Sequence, residues 1–244
     1  MNYKAVLQYD GTRYRGWQTQ GNTDNTIQGK LETLLTKMAG EPVEVNGSGR
    51  TDAGVHAAGQ VISFRCKTKE SPEEICRYMN EYLPEDIVVL SVEEAAPRFH
   101  ARLNAVRKTY VYRIWNAPVR NVFRRKFTTW IQKPLDLEAM EQAATLLCGT
   151  HDYRAFCSLK KFKKSTVRTI EKIEIGKMGQ EIRISYTGDG FLYHMVRILT
   201  GTLVEVGLGL RKPEEMTEIL EGQDRTKAGR LMPPEGLTLE SVEY

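Results

Sequence analysis

Two apolar periods alternate along this chain, and their order narrows the architectures open to it. Residues 3–10 alternate as a strand that stops at Asp10-Gly11. Residues 26–38 instead set Ile27, Leu31, Leu34, Leu35 and Met38 at helical spacing, with Gly40 behind them. Residues 42–45 read as a short strand and 56–64 as a longer one, with Val61 and Ser63 on one face and Ile62 and Phe64 on the other. Ser71-Pro72-Glu73-Glu74 opens a helix that ends near Leu83-Pro84, because serine caps and proline suits the first helical position. Residues 87–92 and 99–103 read as extended. The pattern then resumes with a strand at 108–115, a helix at 136–148 capped by Asp136, and a hairpin of 166–175 with 181–186. A long apolar helix at 191–206, a shorter one from Lys212-Pro213 to Leu220 and a last strand at 237–242 complete it. Strand pairs and helices mix without a regular βαβ alternation, so the expected class is α+β with mixed sheets. The expected division is 1–104 and 105–244.

A chain of 244 residues, 41% hydrophobic and 27% charged, has enough apolar material for a sizeable core. No run approaches the ~20 apolar residues of a membrane span, and "MNYKAVLQYDG" reads as a strand rather than a signal peptide. The expected location is the cytoplasm. Cys66, Cys76, Cys148 and Cys157 form no CxxC pair and are expected to be free. His56, His100, His151 and His194 are too scattered for a metal-binding helix.

Charge is spread unevenly. Residues 1–104 carry 12 basic and 14 acidic side chains, and residues 105–244 carry 23 and 17. Between Arg107 and Lys133 stand eight basic residues and no acid, interleaved with Tyr110, Tyr112, Trp115, Phe123, Phe127 and Trp130. Lys160, Lys161, Lys163, Lys164 and Arg168 form a second cluster. Cations laced with aromatics are the footprint expected for nucleic acid.

The chemistry concentrates in "NGSGRTDAGVHAAGQV", residues 46–61, where glycines surround one arginine and one aspartate. A dinucleotide fingerprint would need glycine where Asp52 stands, and a Walker loop would need GK[ST]. Aspartate there would also repel a phosphate. With Arg50 two residues away, an ionised and poorly solvated Asp52 suits a nucleophile rather than a general acid. The glycines would allow a bulky flat substrate to approach the backbone closely.

"GSGRTDAGVHA" closely resembles the signature of the pseudouridine synthases, and among them the tRNA pseudouridine synthase A family. "YDGTRYRGWQTQ", "RKTYVYRIWN", "GTHDYRAF", "VRTI" and "GFLYHMVRILTG" continue the resemblance in order along nearly the whole chain. It implies two similar α+β halves with an active-site cleft between them. It also implies conversion of uridine to pseudouridine on the 3′ side of the tRNA anticodon stem-loop, by a homodimer whose RNA crosses both subunits. No cofactor and no metal are implied. Asp52 matches the family's essential aspartate, Tyr110 the tyrosine packed on the target base, and Arg197 the basic residue expected to pair with the aspartate. Arg50 matches the signature arginine that stabilises the flipped-out nucleotide.

Elementary considerations point the same way. A stacked base cannot offer C1′ and C5 to a side chain, so it must be extruded, and stacking on an aromatic, worth ~1–3 kcal/mol, offsets that cost. Tyr110 and Tyr112 share one strand face, so one of them can stack on the base while the other packs in the core. The Tyr110 hydroxyl is a candidate for helping remove the C5 proton. Arg197 sits in an otherwise apolar helix, where a buried arginine needs a partner, while His194 and Met195 are expected to serve helix packing. Arg107, Lys108, Lys160, Lys161, Lys163 and Lys164 are the expected phosphate contacts. Two other readings remain, a non-catalytic RNA-binding or RNA-folding module and an N-glycosidase. The first gives Asp52 no role, and the second needs a paired carboxylate that the sequence near Asp52 lacks.

Overall fold

A computed structural model describes residues 1–21 and 23–244. Its elements in chain order are β1 (Asn2–Tyr9), α1 (Ile27–Ala39), β2 (Val45–Gly47), β3 (His56–Arg65), α2 (Pro72–Tyr82), β4 (Ile87–Glu94) and β5 (Arg107–Asn116). Then come β6 (Thr129–Ile131), α3 (Leu137–Leu146), β7 (Gly149–Asp152), β8 (Val167–Met178), β9 (Glu181–Gly188), α4 (Met195–Gly207), α5 (Glu215–Gly222) and β10 (Leu237–Glu243). The chain divides into two units, one formed by Met1–Val106 with Thr238–Tyr244 and the other by Arg107–Leu237.

In the first unit the strands run in the order β4-β1-β3-β10. β1 is antiparallel to both β3 and β4, β2 pairs antiparallel with β3, and β10 joins β3 in parallel through Thr238 and Leu239 opposite His56 and Ala57. The last strand, which a division at residue 104 gives to the second half, therefore pairs inside the first. Its core is the alternating face of β1 and β3, where Tyr3 stacks on Phe64 at 5.4 Å. Ile27, Leu31 and Leu35 of α1 and Ile75 and Met79 of α2 are buried beside it. Both helices start where local chemistry dictates. Thr26 Oγ1 accepts from Gly29 N–H, and Ser71 with Glu74 forms a complete capping box.

In the second unit β5, β9, β8 and β7 form an antiparallel run, and β6 lies parallel to β5. Tyr112, Ile114, Ile182, Ile184 and Tyr186 are buried in it. α4 is buried on nearly every side, as an apolar helix must be, and its Thr200 Oγ1 meets the Tyr186 hydroxyl at 2.8 Å. Each unit combines helices with a mixed sheet, the α+β class that the periods predict. All four cysteines are free. No helix among the described residues is long and apolar enough to cross a membrane.

Four local readings are corrected. Residues 99–103 turn rather than extend, because distant side chains satisfy the backbone: Asn2 Nδ2 donates to the Phe99 carbonyl and Ser63 Oγ accepts from Ala101 N–H. β2 begins at Val45, where Glu32 Oε1 and Gln28 Nε2 of α1 hold the Val45 N–H and carbonyl. α4 begins at Met195 rather than at 191, because His194 adopts φ 65°. α5 begins at Glu215, after Lys212 and Pro213 have formed a turn. β6 and β7 carry too few residues to show a period.

Tyr9, Tyr112 and Tyr186 are buried, and burial pushes each phenol above its ordinary range. The folded chain therefore keeps these protons after the unfolded chain, with phenols near ~10, begins to lose them. Stability is full below the unfolded value and falls as pH rises above it, because the unfolded state there binds fewer protons. Urea midpoints should stay level up to about pH 9 and decline toward about pH 11. A level line through that whole range would contradict the burial of these three rings.

Candidate active site

Asp52 sits between two anchored points of the first unit. Before it, Thr51 is held twice: its carbonyl accepts from Trp17 N–H at 3.0 Å, and its Oγ1 lies 2.8 Å from the Tyr9 hydroxyl. After it, Val55 N–H donates to the Asp52 carbonyl at 3.1 Å and closes a β-turn whose third residue, Gly54, has φ 79°. A type II turn demands that conformation, which is why glycine stands there. Asp52 itself is half-buried.

The loop is fastened from beneath by a buried polar network. Ser48 Oγ donates to Gln60 Oε1 at 2.6 Å, while Gln60 Nε2 donates to the Gly49 carbonyl at 3.0 Å and to the Tyr9 oxygen at 3.4 Å. The Tyr9 hydroxyl therefore links Gln60 to Thr51. Buried networks of this kind rigidify when every member is satisfied. At Gly47 the close approach is internal: a methyl group there would lie 2.5 Å from the Trp17 ring. The flat group that this glycine admits is the protein's own indole rather than a substrate. Tyr9, Thr51, Gln60 and Trp17 are thus positioning residues that local spacing could not reveal, although Tyr9 and Trp17 lie in the quoted stretch "YDGTRYRGWQTQ".

Arg50 is exposed. Among the described residues it makes no ion pair with Asp52, so the reach inferred from their spacing is not used in that way. Desolvation and the neighbouring charge of Arg102 hold its guanidinium below the usual arginine range. Two cations in each other's field favour an anion between or beside them.

In the second unit the structure separates the two tyrosines of β5. Tyr112 is 0% exposed, and its hydroxyl is spent on Thr129 Oγ1 at 2.6 Å and the Pro233 carbonyl at 2.7 Å. Tyr112 is the core member. Tyr110 is 9% exposed and receives Phe191 edge-on at 5.3 Å and 83°. Phe191 was expected inside a helix; it stands instead in the turn before α4, where it fixes the tilt of the Tyr110 ring. Arg197, on the first turn of α4, is 8% exposed. Its Nε donates to the Met232 carbonyl at 2.7 Å, and Met232 N–H returns a bond to the Arg197 carbonyl at 3.3 Å. Burial of that guanidinium excludes a surface position on an amphipathic helix. Met195 is buried, as packing requires, but His194 lies outside the helix and stacks on Tyr193.

Of the expected phosphate contacts, Lys160, Lys161, Lys163 and Lys164 are exposed, and Lys108 is half-buried. Arg107 is engaged by Glu171, Nε to Oε2 at 2.7 Å. Among the described residues no group of three His, Cys, Asp or Glu side chains is placed to hold a metal ion.

Known proteins resemble this chain in sequence. A family profile described as tRNA pseudouridine synthase matches residues 5–104 and 143–244, which include Arg50, Asp52 and Arg197 and leave Tyr110 between them. A tRNA pseudouridine synthase A of Bacillus sp. (strain KSM-64) is 48% identical over 100% of this chain and 99% of its own. A tRNA pseudouridine synthase A 2 of Bacillus cereus is 45% identical with the same coverage. A solved Cbf5-Nop10-Gar1 complex aligns over 83% of this chain and 45% of its own at 12% identity and a TM-score of 0.36.

Replacing Tyr9 by Phe removes the hydroxyl that joins Thr51 to Gln60. Urea unfolding of this variant should show a loss of about 1–3 kcal/mol with an unchanged slope, the cost of leaving buried partners unsatisfied. An unaltered midpoint would mean that the network does not fasten the loop.

Proposed function

The chain belongs to the tRNA pseudouridine synthase family, and from that membership we propose how its residues carry out the isomerisation of uridine to pseudouridine in tRNA. The reaction exchanges one bond for another. N1–C1′ breaks, the uracil turns, and C5–C1′ forms; C5 gives up its proton and N1 ends with one. The atoms balance without any second substrate.

Asp52 is the nucleophile of this reading. The observation that carries it is the double hold on Thr51, which presents the next carboxylate from a pinned backbone rather than from a loose loop. Preorganisation of that kind converts an encounter into an aligned attack. Tyr110 packs on the extruded base, and its buried ring, tilted against Phe191, supports that role. Arg50 stabilises the flipped-out nucleotide, consistent with its exposed charge beside Arg102. Arg197 supplies the cation that balances the reacting anion. Lys108, Lys160, Lys161, Lys163 and Lys164, with Arg107 where Glu171 releases it, hold backbone phosphates. The target uridines lie on the 3′ side of the anticodon stem-loop, and the working form is a cytoplasmic homodimer. These last assignments follow from the family resemblance that the sequence motifs carry.

Asp52→Asn should bind unmodified tRNA yet release no label from C5-tritiated uridine and form no pseudouridine, with the rate down by at least ~10⁴-fold, as expected when an activated nucleophile is removed. Full turnover by this variant would reject the assignment. Release of free uracil would mark a hydrolase instead.

Four lysines on phosphates release counterions, giving log affinity against log salt a slope of roughly −3 to −4. Binding should then weaken about 60- to 250-fold between about 50 and 200 mM salt. Replacing Lys160, Lys161, Lys163 and Lys164 together by Gln should remove most of that dependence, and an unchanged slope would take the loop out of the RNA contact.

A further inference from the structure

The basic stretch "SLKKFKKS" is tied to the turn that precedes α4. Ser158 N–H donates to the Tyr193 carbonyl at 3.3 Å, and Ser158 Oγ lies 2.8 Å from His194 Nδ1. The His194 ring in turn stacks on the Tyr193 ring, with centroids 3.7 Å apart and planes inclined by 27°. His194 holds φ 65°, a conformation that non-glycine residues rarely adopt. Two neighbouring residues with ordinary φ values on an extended stretch would point their rings apart; this backbone turns them face to face.

The outcome is a tyrosine 49% exposed, one face backed by an imidazole that is itself fixed by a hydrogen bond. Exposed lysines begin two residues beyond Ser158, so the Lys160 Cα stands no more than about 7 Å from that of Ser158. Phe162 within the stretch is covered by the Arg154 guanidinium at 5.3 Å, so one aromatic of the region is capped by a cation and the other is left open. No acid interrupts residues 158–168. A rigid exposed ring beside a one-sign cationic loop is the arrangement by which proteins hold single-stranded nucleic acid: the ring takes a base and the cations take the flanking phosphates. An apolar protein partner would have no use for the four lysines, and an acidic one no use for the ring.

We propose that Tyr193, backed by His194, is a stacking platform for an unpaired nucleobase of the RNA, separate from the base packed on Tyr110, and that Lys160, Lys161, Lys163 and Lys164 hold the phosphates beside it. The platform rests on the reading of tRNA as the substrate. It makes the Tyr193–His194 pair and the basic loop one composite site that recognises a local single-stranded feature.

The test uses full-length protein, unmodified tRNA and inorganic polyphosphate. Tyr193→Ala should weaken tRNA binding about tenfold, the low end of the loss expected for one base–aromatic stack, and leave polyphosphate binding within about twofold of wild type. Tyr193→Phe and Tyr193→Trp, which keep a π face, should bind tRNA like wild type, and the fluorescence of the introduced indole should be quenched by tRNA but not by polyphosphate. If Tyr193→Ala does not fold, the Trp variant's quenching decides the matter. Wild-type tRNA affinity in Tyr193→Ala, equal losses for tRNA and polyphosphate, or an indole that tRNA leaves unquenched would each overturn the platform. Wild-type protein that neither binds nor converts tRNA would instead overturn the reading on which it rests.

Discussion

The contact on which the site depends is the hold on Thr51. A carboxylate presented to a ligand gains little from proximity unless its backbone is fixed. Here one residue is gripped through both its carbonyl and its hydroxyl. The grip rests on Tyr9, Tyr9 rests on Gln60, and Gln60 joins the strand after the loop to the segment before it. A segment that looks mobile in sequence, because it is rich in glycine, is therefore fastened by a buried hydrogen-bond network. Gly54 serves a turn and Gly47 an indole.

What could be read from the sequence divides along the range of the forces involved. α2 is written locally, since Ser71, Pro72 and Glu74 carry its start within four residues. The β8–β9 hairpin is local as well, although β8 runs on to Met178, closer to the turn than its alternation implies. The positioning network is not local: Tyr9 lies 42 residues from Thr51 and 51 from Gln60. No period or spacing connects partners so far apart. The same holds for residues 99–103, whose turn is stabilised from Asn2 and Ser63, and for β6, which exists only through its parallel pairing with β5. The loop around Asp52 stands out in sequence because its residues are neighbours that form a signature. The shared strand face alone could not show that Tyr112 is the core member, because the partners of its hydroxyl, Thr129 and Pro233, come from other segments.

α4 shows how an apolar run can mislead at its boundary. Residues 191–194 continue the hydrophobic pattern, yet they belong to a turn that aims two rings. Phe191 meets Tyr110, and Tyr193 meets His194. Hydrophobicity records that these side chains leave water, but the backbone reversal at His194 decides what each one touches. Inside the helix the logic differs again: Arg197 is tolerated because Met232 satisfies its Nε, and an arginine buried among apolar residues needs such an acceptor.

The return of the chain to its first unit has a consequence for synthesis. β3 begins immediately after the Asp52 turn, and its first residues, His56 and Ala57, pair with Thr238 and Leu239 of β10. On a ribosome the strand that leaves the Asp52 loop must therefore wait, one edge partly unpaired, while the whole of Arg107–Leu237 is made. Nascent chains interrupted anywhere in that interval carry Asp52 and every residue of its supporting network, but not the strand that closes the sheet beside them. Synthesis of β10, rather than emergence of Asp52, sets the moment at which this unit can complete its pairing.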